Sequence, residues 1–159
     1  MMEKIIIAAV AENNVIGKDG DIPWHYSEDM KHFKQKTTGN TVIMGRKTFQ
    51  SLPDSFKPLP DRQNIVLTRS DFSPQSESVT VANSLDEAWV RANNEKVFII
   101  GGEGVYEQSL EQTDKMILTE IKGEYEGDTY FPEWNEEKWR ETEREEKNEF
   151  SFVEHERLN

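Results

Sequence analysis

The run KIIIAAV, residues 4–10, has no polar position after Lys4 and gives way to AENN. A strand that is apolar at successive rather than alternate positions is covered on both faces, as in a parallel sheet held between helices. The pattern recurs at TVIM (41–44), NIVLT (64–68), VFII (97–100) and DKMILTEI (114–121), with SVTVA (78–82) as a shorter strand. Helical stretches fall between them. One is expected over 28–36, capped by Ser27, with Glu28 and Asp29 in its first turn where acids complement the helix dipole. RKTFQSL (46–52) forms a second, stopped by Pro53. LDEAWVRAN (85–93) follows Ser84, whose spacing to Glu87 is that of a capping box, and EGVYEQSL (103–110) follows Gly101 and Gly102. Strands alternating with helices predict an α/β fold: a single domain over residues 1–159, with a central, mostly parallel twisted sheet flanked by helices. The tail KWRETEREEKNEFSFVEHERL (138–158) alternates in its second half, at Phe150 and Phe152 or Val153. Antiparallel C-terminal edge strands with a wet face are expected there.

The surface is acidic. The 159 residues carry 31 Asp and Glu against 19 Lys and Arg, a formal charge of -12, and 14 of the acids lie from Glu120 onward with six Lys or Arg. Such a surface repels a phosphate backbone, which argues against general nucleic-acid binding. Only 35% of residues are apolar, but their grouping into compact runs predicts a folded core beneath a charged skin, not disorder. Acids in this excess are what solubility in concentrated salt favours, so a halophilic origin is one hypothesis. Cysteine is absent, which excludes disulfides, thiol chemistry and Cys-based zinc sites. His25, His32 and His155 lack companions at ligand spacing; each is expected on the surface or in a loop, and no metal site is expected. The longest apolar run is seven residues, too short for a membrane span or an ordinary signal peptide. No membrane partner is expected, and a cytoplasmic location is the default.

Ligands of open α/β sheets bind beyond the C-terminal ends of the strands, which directs attention to the AENNVIG loop, GRKT, RSD and GGEG. Gly101 and Gly102 let backbone N–H groups approach an anion, but such a pair is also an ordinary turn, and no GxGxxG fingerprint accompanies it. Arg46, Lys47 and Arg69, at two such strand ends, are either cations balancing local acids or the charge for a pyrophosphate and a further phosphate. Asp29 presents a similar choice. On a helix Phe33 lies about 40° and Met30 about 100° from it, so the acid shares a face with two apolar side chains. Either it satisfies first-turn N–H groups, or it is a carboxylate in an apolar cleft that needs donors from a ligand. A flat heterocycle with two adjacent N–H donors would supply them, and burial would raise the pKa toward the range useful for promoting protonation.

Taken in order, AENNVIGKDGDIPWHYSEDMKHFK, TVIMGRKTFQSL, PLPDRQNIVLTRS, VFIIGGEGVYEQSL and ILTEIKGEYEGDTYFP resemble the dihydrofolate reductase family from the first strand to residue 132. The resemblance implies reduction of 7,8-dihydrofolate to tetrahydrofolate, with a hydride passing from C4 of NADPH to C6 of the pterin and a proton reaching N5 from solvent. It makes Asp29 the acid that accepts hydrogen bonds from the pterin 2-amino group and N3 side, Thr119 the residue joining Asp29 to that amino group, and Trp24 a support acting through an ordered water. Ile7 and Ala9 lie beside the pterin, Met30 and Phe33 form its apolar wall, and Ile100 borders the substrate. Ser51, Leu52 and Leu59 line the aminobenzoyl part, and Arg62 grips the α-carboxylate of the glutamate.

For the cofactor, the resemblance assigns Gly45, Arg46, Lys47 and Thr48 to the pyrophosphate and adenosine side. Thr68, Arg69 and Ser70 fall at the adenine and 2'-phosphate, favouring NADPH over NADH. Ala9, Ile16 and Gly17 lie near the nicotinamide ribose or carboxamide, and Gly101, Gly102, Gly104, Val105 and Tyr106 lie at the strand end by the nicotinamide. The loop 13–24 matches a mobile lid, held closed through Gly127 and Asp128. A monomer without a protein partner is implied. Two departures stand out: Asp21 and Ile22 before Pro23, where other members often place Leu or Met, and Glu103 in GGEG, which must point away from phosphate if the cofactor is to bind. One alternative is another pterin or pyrimidine reductase of the same fold, which Arg62 argues against. A noncatalytic nucleotide-binding protein gives no reason for an acid beside Phe33.

Overall fold

In the computed structural model, which describes residues 2–74 and 76–159, KIIIAAV lies inside β1 (Glu3–Ala11), a strand paired on both sides. The chain continues through β2 (Val15–Gly17), α1 (Ser27–Thr37), β3 (Thr41–Gly45), α2 (Arg46–Ser51), β4 (Gln63–Leu67), β5 (Val79–Ala82) and α3 (Leu85–Arg91). Then come β6 (Lys96–Ile99), α4 (Glu103–Ser109), β7 (Lys115–Ile121), β8 (Thr129–Tyr130), β9 (Trp139–Glu146) and β10 (Phe150–Arg157). Eight strands form one sheet in the order β5-β4-β3-β6-β1-β7-β10-β9. Pairing is parallel from β5 to β7 and antiparallel where β10 meets β7 and β9. The mostly parallel sheet with antiparallel C-terminal strands expected from the sequence is present.

The successive apolar residues of β1 divide between two cores. Ile6, Ala8 and Val10 pack with Leu85, Ala88 and Trp89 of α3 and Val105 and Tyr106 of α4. Ile5 and Ile7 pack on the opposite face with Phe49 of α2 and Phe33 of α1. Helices α1 and α2 therefore cover one face, and α3 and α4 cover the other. The chain diverges at the C-terminal ends of β1, β3 and β6, which is where such sheets open a ligand crevice.

Several local expectations are corrected. Ser27 is the first helical residue of α1, not its cap; Tyr26 occupies the cap position and no side chain caps the helix. Ser84 does cap α3, accepting from the Glu87 N–H at 3.1 Å, while the Glu87 carboxylate reaches one residue further back, to the Asn83 N–H at 2.7 Å. The loop after β1 contains a strand that its composition hides: β2 pairs with β8 in a separate ribbon. The wet face belongs to β9, exposed at every position after Trp139, whereas β10 is exposed only at Glu156. His155 lies in β10 at 7% exposure and packs edge-on against Trp134, and His32 lies on α1 stacked on Phe152 at 4.0 Å. Neither is a surface or loop histidine, because β10 is flanked by α1 on one side and by the two tryptophans, Trp134 and Trp139, on the other. Among the described residues no helix is long and apolar enough to cross a membrane.

Candidate active site

α1 is clamped onto the sheet along one side. Tyr26 meets Phe150 at 5.1 Å, His32 stacks on Phe152, and Lys36 pairs with Glu154 at 3.1 Å. This docking brings Asp29 against β7, where the Thr119 hydroxyl donates to Asp29 Oδ1 at 2.6 Å across 90 residues of sequence. Thr119 is 3% exposed. Burial pushes the Asp29 carboxyl above the usual carboxylate range, and the Thr119 hydroxyl pulls it partly back. Among the described residues no other side chain or backbone group donates to this carboxylate. Of the two readings of Asp29, the half-buried acid in an apolar cleft matches the geometry. Trp24, 8% exposed, packs edge-on against Tyr125 with ring centroids 5.0 Å apart. Met30, next to Asp29 on α1, is 55% exposed.

Ile7, Phe33, Leu52, Leu59 and Ile100 come together in one apolar cluster beneath α1 and α2, while Ala9 packs into the neighbouring cluster with Trp24. Ser51 is exposed, and its hydroxyl donates to the Thr48 carbonyl at 2.7 Å. Arg62 is half-buried. Its Nη1 donates to Thr37 Oγ1 at 3.0 Å and its Nε to the Pro60 carbonyl at 2.8 Å. Burial lowers the guanidinium pKa, but arginine stays charged.

Two residues that the motif reading missed hold this arginine. Thr37 sits fully buried at the end of α1. Asn64, 1% exposed, clamps the preceding loop: its Oδ1 accepts from the Leu59 N–H, and its Nδ2 donates to the carbonyls of Leu59 and Arg62, at 2.9 to 3.0 Å. The available signal was a polar residue opening the otherwise apolar strand NIVL.

On the far side of the crevice the ends of β3 and β6 nearly touch, with the Gly45 N–H donating to the Gly101 carbonyl at 2.9 Å. Gly101 has φ +124, a region that favours glycine, and a Cβ on Gly102 would meet Thr48 Oγ1 at 3.4 Å. Arg46 Nη1 donates to Ser70 Oγ at 2.9 Å, and Ser70 Oγ lies 3.1 Å from Thr68 Oγ1. Among the described residues Arg46, Lys47 and Arg69 have no carboxylate within pairing distance, in a chain of net charge -12. The reading of these cations as balancing local acids is therefore not supported. Gly104 is exposed, and Val105 and Tyr106 are buried. The Tyr106 hydroxyl donates to the Ile7 carbonyl at 2.9 Å, and burial raises its phenol pKa.

Ile16 and Gly17 lie in β2, and Ile16 packs against the core cluster that holds Val105 and Tyr106. The Asp128 N–H donates to the Gly17 carbonyl at 3.0 Å, the Asp19 N–H to Asp128 Oδ2 at 2.9 Å, and Lys18 pairs with Glu126 at 3.0 Å. Glu103 turns to the same ribbon, its Oε1 accepting from the Tyr130 N–H at 2.6 Å.

The crevice beyond the C-terminal ends of the parallel strands thus has a half-buried acid on one wall and unpaired cations and glycines on the other, the layout of an α/β protein with its site at the strand ends. The family model of dihydrofolate reductase matches residues 4–157, and the chain belongs to that family. It is 44% identical to dihydrofolate reductase HdrB of Haloferax volcanii over 161 aligned positions, covering 96% of this chain and 82% of the relative. It is 46% identical to the dihydrofolate reductase of Haemophilus influenzae over 136 positions, covering 84% and 81%. The solved dihydrofolate reductase of Enterococcus faecalis, complexed with NADP(H) and RAB-propyl, superposes with a TM-score of 0.87 at 32% identity, covering 99% of this chain and 97% of that one. Family and fold together assign the chain oxidoreductase activity of this general kind.

Proposed function

We propose that the chain reduces 7,8-dihydrofolate to 5,6,7,8-tetrahydrofolate with NADPH. The observation that carries this reading is the Asp29 carboxylate held by Thr119 in an apolar cleft. With Thr119 on Oδ1, the acid retains acceptor capacity for the pterin 2-amino group and N3 side, whose N–H donors offset the cost of burying its charge. A negative charge held there favours protonation at N5, with solvent as the proton carrier and Trp24 and the ribbon above limiting water access. Ile7, Phe33 and Ile100 supply flat apolar contact, and Leu52 and Leu59 line the path to Arg62, which takes the glutamate α-carboxylate in a two-pronged pair.

The residues present fit NADPH. Arg46, Lys47 and Arg69 supply unpaired positive charge, Thr48, Thr68 and Ser70 supply hydroxyls, and Gly45 and Gly101 join the ends of β3 and β6 beside them through a backbone hydrogen bond. The bound NADP(H) of the Enterococcus faecalis relative supports the same reading. When bound, NADPH supplies the hydride, from C4 of the nicotinamide to C6 of the pterin. Following nicotinamide absorbance with purified protein, NADPH and dihydrofolate tests the proposal; no consumption of NADPH overturns it.

Arg62→Leu separates dihydrofolate from tail-less pterins. Loss of a charge-assisted pair raises the KM for dihydrofolate at least about tenfold while NADPH affinity holds, as titration of each ligand will show. An unchanged KM would favour a substrate without a glutamate tail. In this reading the protein works as a monomer in the cytoplasm on small molecules.

The acid skin fits a salt-rich cytoplasm. Glu141, Glu143, Glu145 and Glu146 crowd the exposed strand β9, and one relative comes from Haloferax volcanii. Raising KCl shrinks the Debye length from about 10 Å at 0.1 M to about 3 Å at 1 M, so the melting temperature should rise with KCl over this range. Equal melting at low and high salt, read by near-ultraviolet circular dichroism, rules out this adaptation.

A further inference from the structure

We infer that Glu103 is a positioning residue that ties the β2–β8 ribbon to the start of α4 and so keeps the lid seated over the cofactor crevice, an inference that rests on the reading above. Glu103 is the first residue of α4, directly after Gly101 and Gly102. A carboxylate turned toward the crevice from there would repel a phosphate. Its Oε1 instead accepts the Tyr130 N–H at 2.6 Å, a contact between residues 27 apart.

The ribbon needs such a tie. It has three residues in one strand and two in the other, and a pair of short strands is marginal without packing against something else. Two of its own bonds run from the Asp128 N–H to the Gly17 carbonyl and from the Phe131 N–H to the Asn14 carbonyl. The intervening Tyr130 N–H is satisfied from outside the ribbon, by Glu103. Three residues along α4, and so on the same helix face, Tyr106 packs on Phe131 with ring centroids 5.2 Å apart. A polar and an apolar contact thus join α4 to consecutive residues of one segment. Tyr106 passes the connection on to β1 through its hydrogen bond to the Ile7 carbonyl.

The test compares the full-length wild-type chain with Glu103→Ala and Glu103→Gln. Three quantities are read: the NADPH dissociation rate by stopped-flow fluorescence, Tyr130 amide hydrogen exchange by NMR, and the melting temperature. Removing an ionised acceptor predicts NADPH release faster by about tenfold and Tyr130 exchange faster by a similar factor in Glu103→Ala, with little change in melting temperature. Glu103→Gln keeps an oxygen acceptor and restores both rates most of the way. If the two variants behave alike, or bind NADPH more tightly than wild type, Glu103 acts only through its charge and the inference falls. Unmoved Tyr130 exchange in Glu103→Ala overturns it as well. A wild-type chain that does not bind NADPH overturns the cofactor reading along with it, whereas a binding wild type with unchanged variants overturns only the role of Glu103.

Discussion

Asp29→Asn slows hydride transfer at neutral pH by about two to three orders of magnitude and raises the melting temperature. Both effects come from one cause. Burial raises the Asp29 pKa above its unfolded value, so the folded state binds this proton more readily than the unfolded chain does. The resulting cost to stability is absent below the unfolded carboxylate pKa, grows as pH rises through that value, and is complete above the folded pKa. Asparagine removes the cost and keeps an oxygen to accept from Thr119. The stabilisation of Asp29→Asn over wild type should therefore be largest at neutral pH and disappear in acid. Its rate should recover partly as pH falls, since N5 then takes a proton from solvent without help from a fixed negative charge. Single-turnover absorbance and thermal melts across pH check both limbs. A rate unchanged at every pH removes Asp29 from the mechanism, and a melting temperature lowered at neutral pH shows that burial of its charge is not costly.

Gly127→Ala acts on the lid. A Cβ built at this position lies 2.3 Å from Val15 Cγ1 and 2.7 Å from the Gly17 carbonyl oxygen. The valine can rotate only partly in a fully buried site, and the carbonyl belongs to the ribbon backbone and already accepts from Asp128. The ribbon must open to admit the methyl group, at a cost of about 1–3 kcal/mol. With the ribbon displaced, hydride transfer falls by up to about a hundredfold, while the proposed dihydrofolate tail site at Arg62, held by Thr37 at the C-terminal end of α1, keeps its affinity. Single-turnover rates beside equilibrium titration distinguish the two. A rate equal to wild type would mean that closure of this ribbon does not control the chemistry.

The strands were legible because burial on both faces leaves a local trace: KIIIAAV and NIVL are apolar at successive positions, and nothing remote is needed to see it. Asp29 beside Phe33 was legible for the same reason, since one turn of helix relates them. The order of the family motifs then directed each crevice residue to a role. The β2–β8 ribbon was hidden because its strands are two and three residues long, too short for any periodicity, and their partners lie more than a hundred residues apart. β10 looked half-wet because Phe150 and Phe152 or Val153 alternate with polar neighbours, yet one of those, Glu154, pairs with Lys36 and Lys115 at 3.1 and 2.9 Å and is buried.

Composition and spacing alone were enough to decide the α/β class, the buried strands, and the existence of an acid on an apolar helix face. Packing alone decided that Thr119 meets Asp29, that Thr37 and Asn64 brace Arg62, and that Glu103 turns to Tyr130 and not to the crevice. Hydrophobic periodicity is a property of neighbours along the chain, whereas a hydrogen bond exists only within about 3 Å, and across 27 or 90 residues that distance is set by how every intervening element stacks.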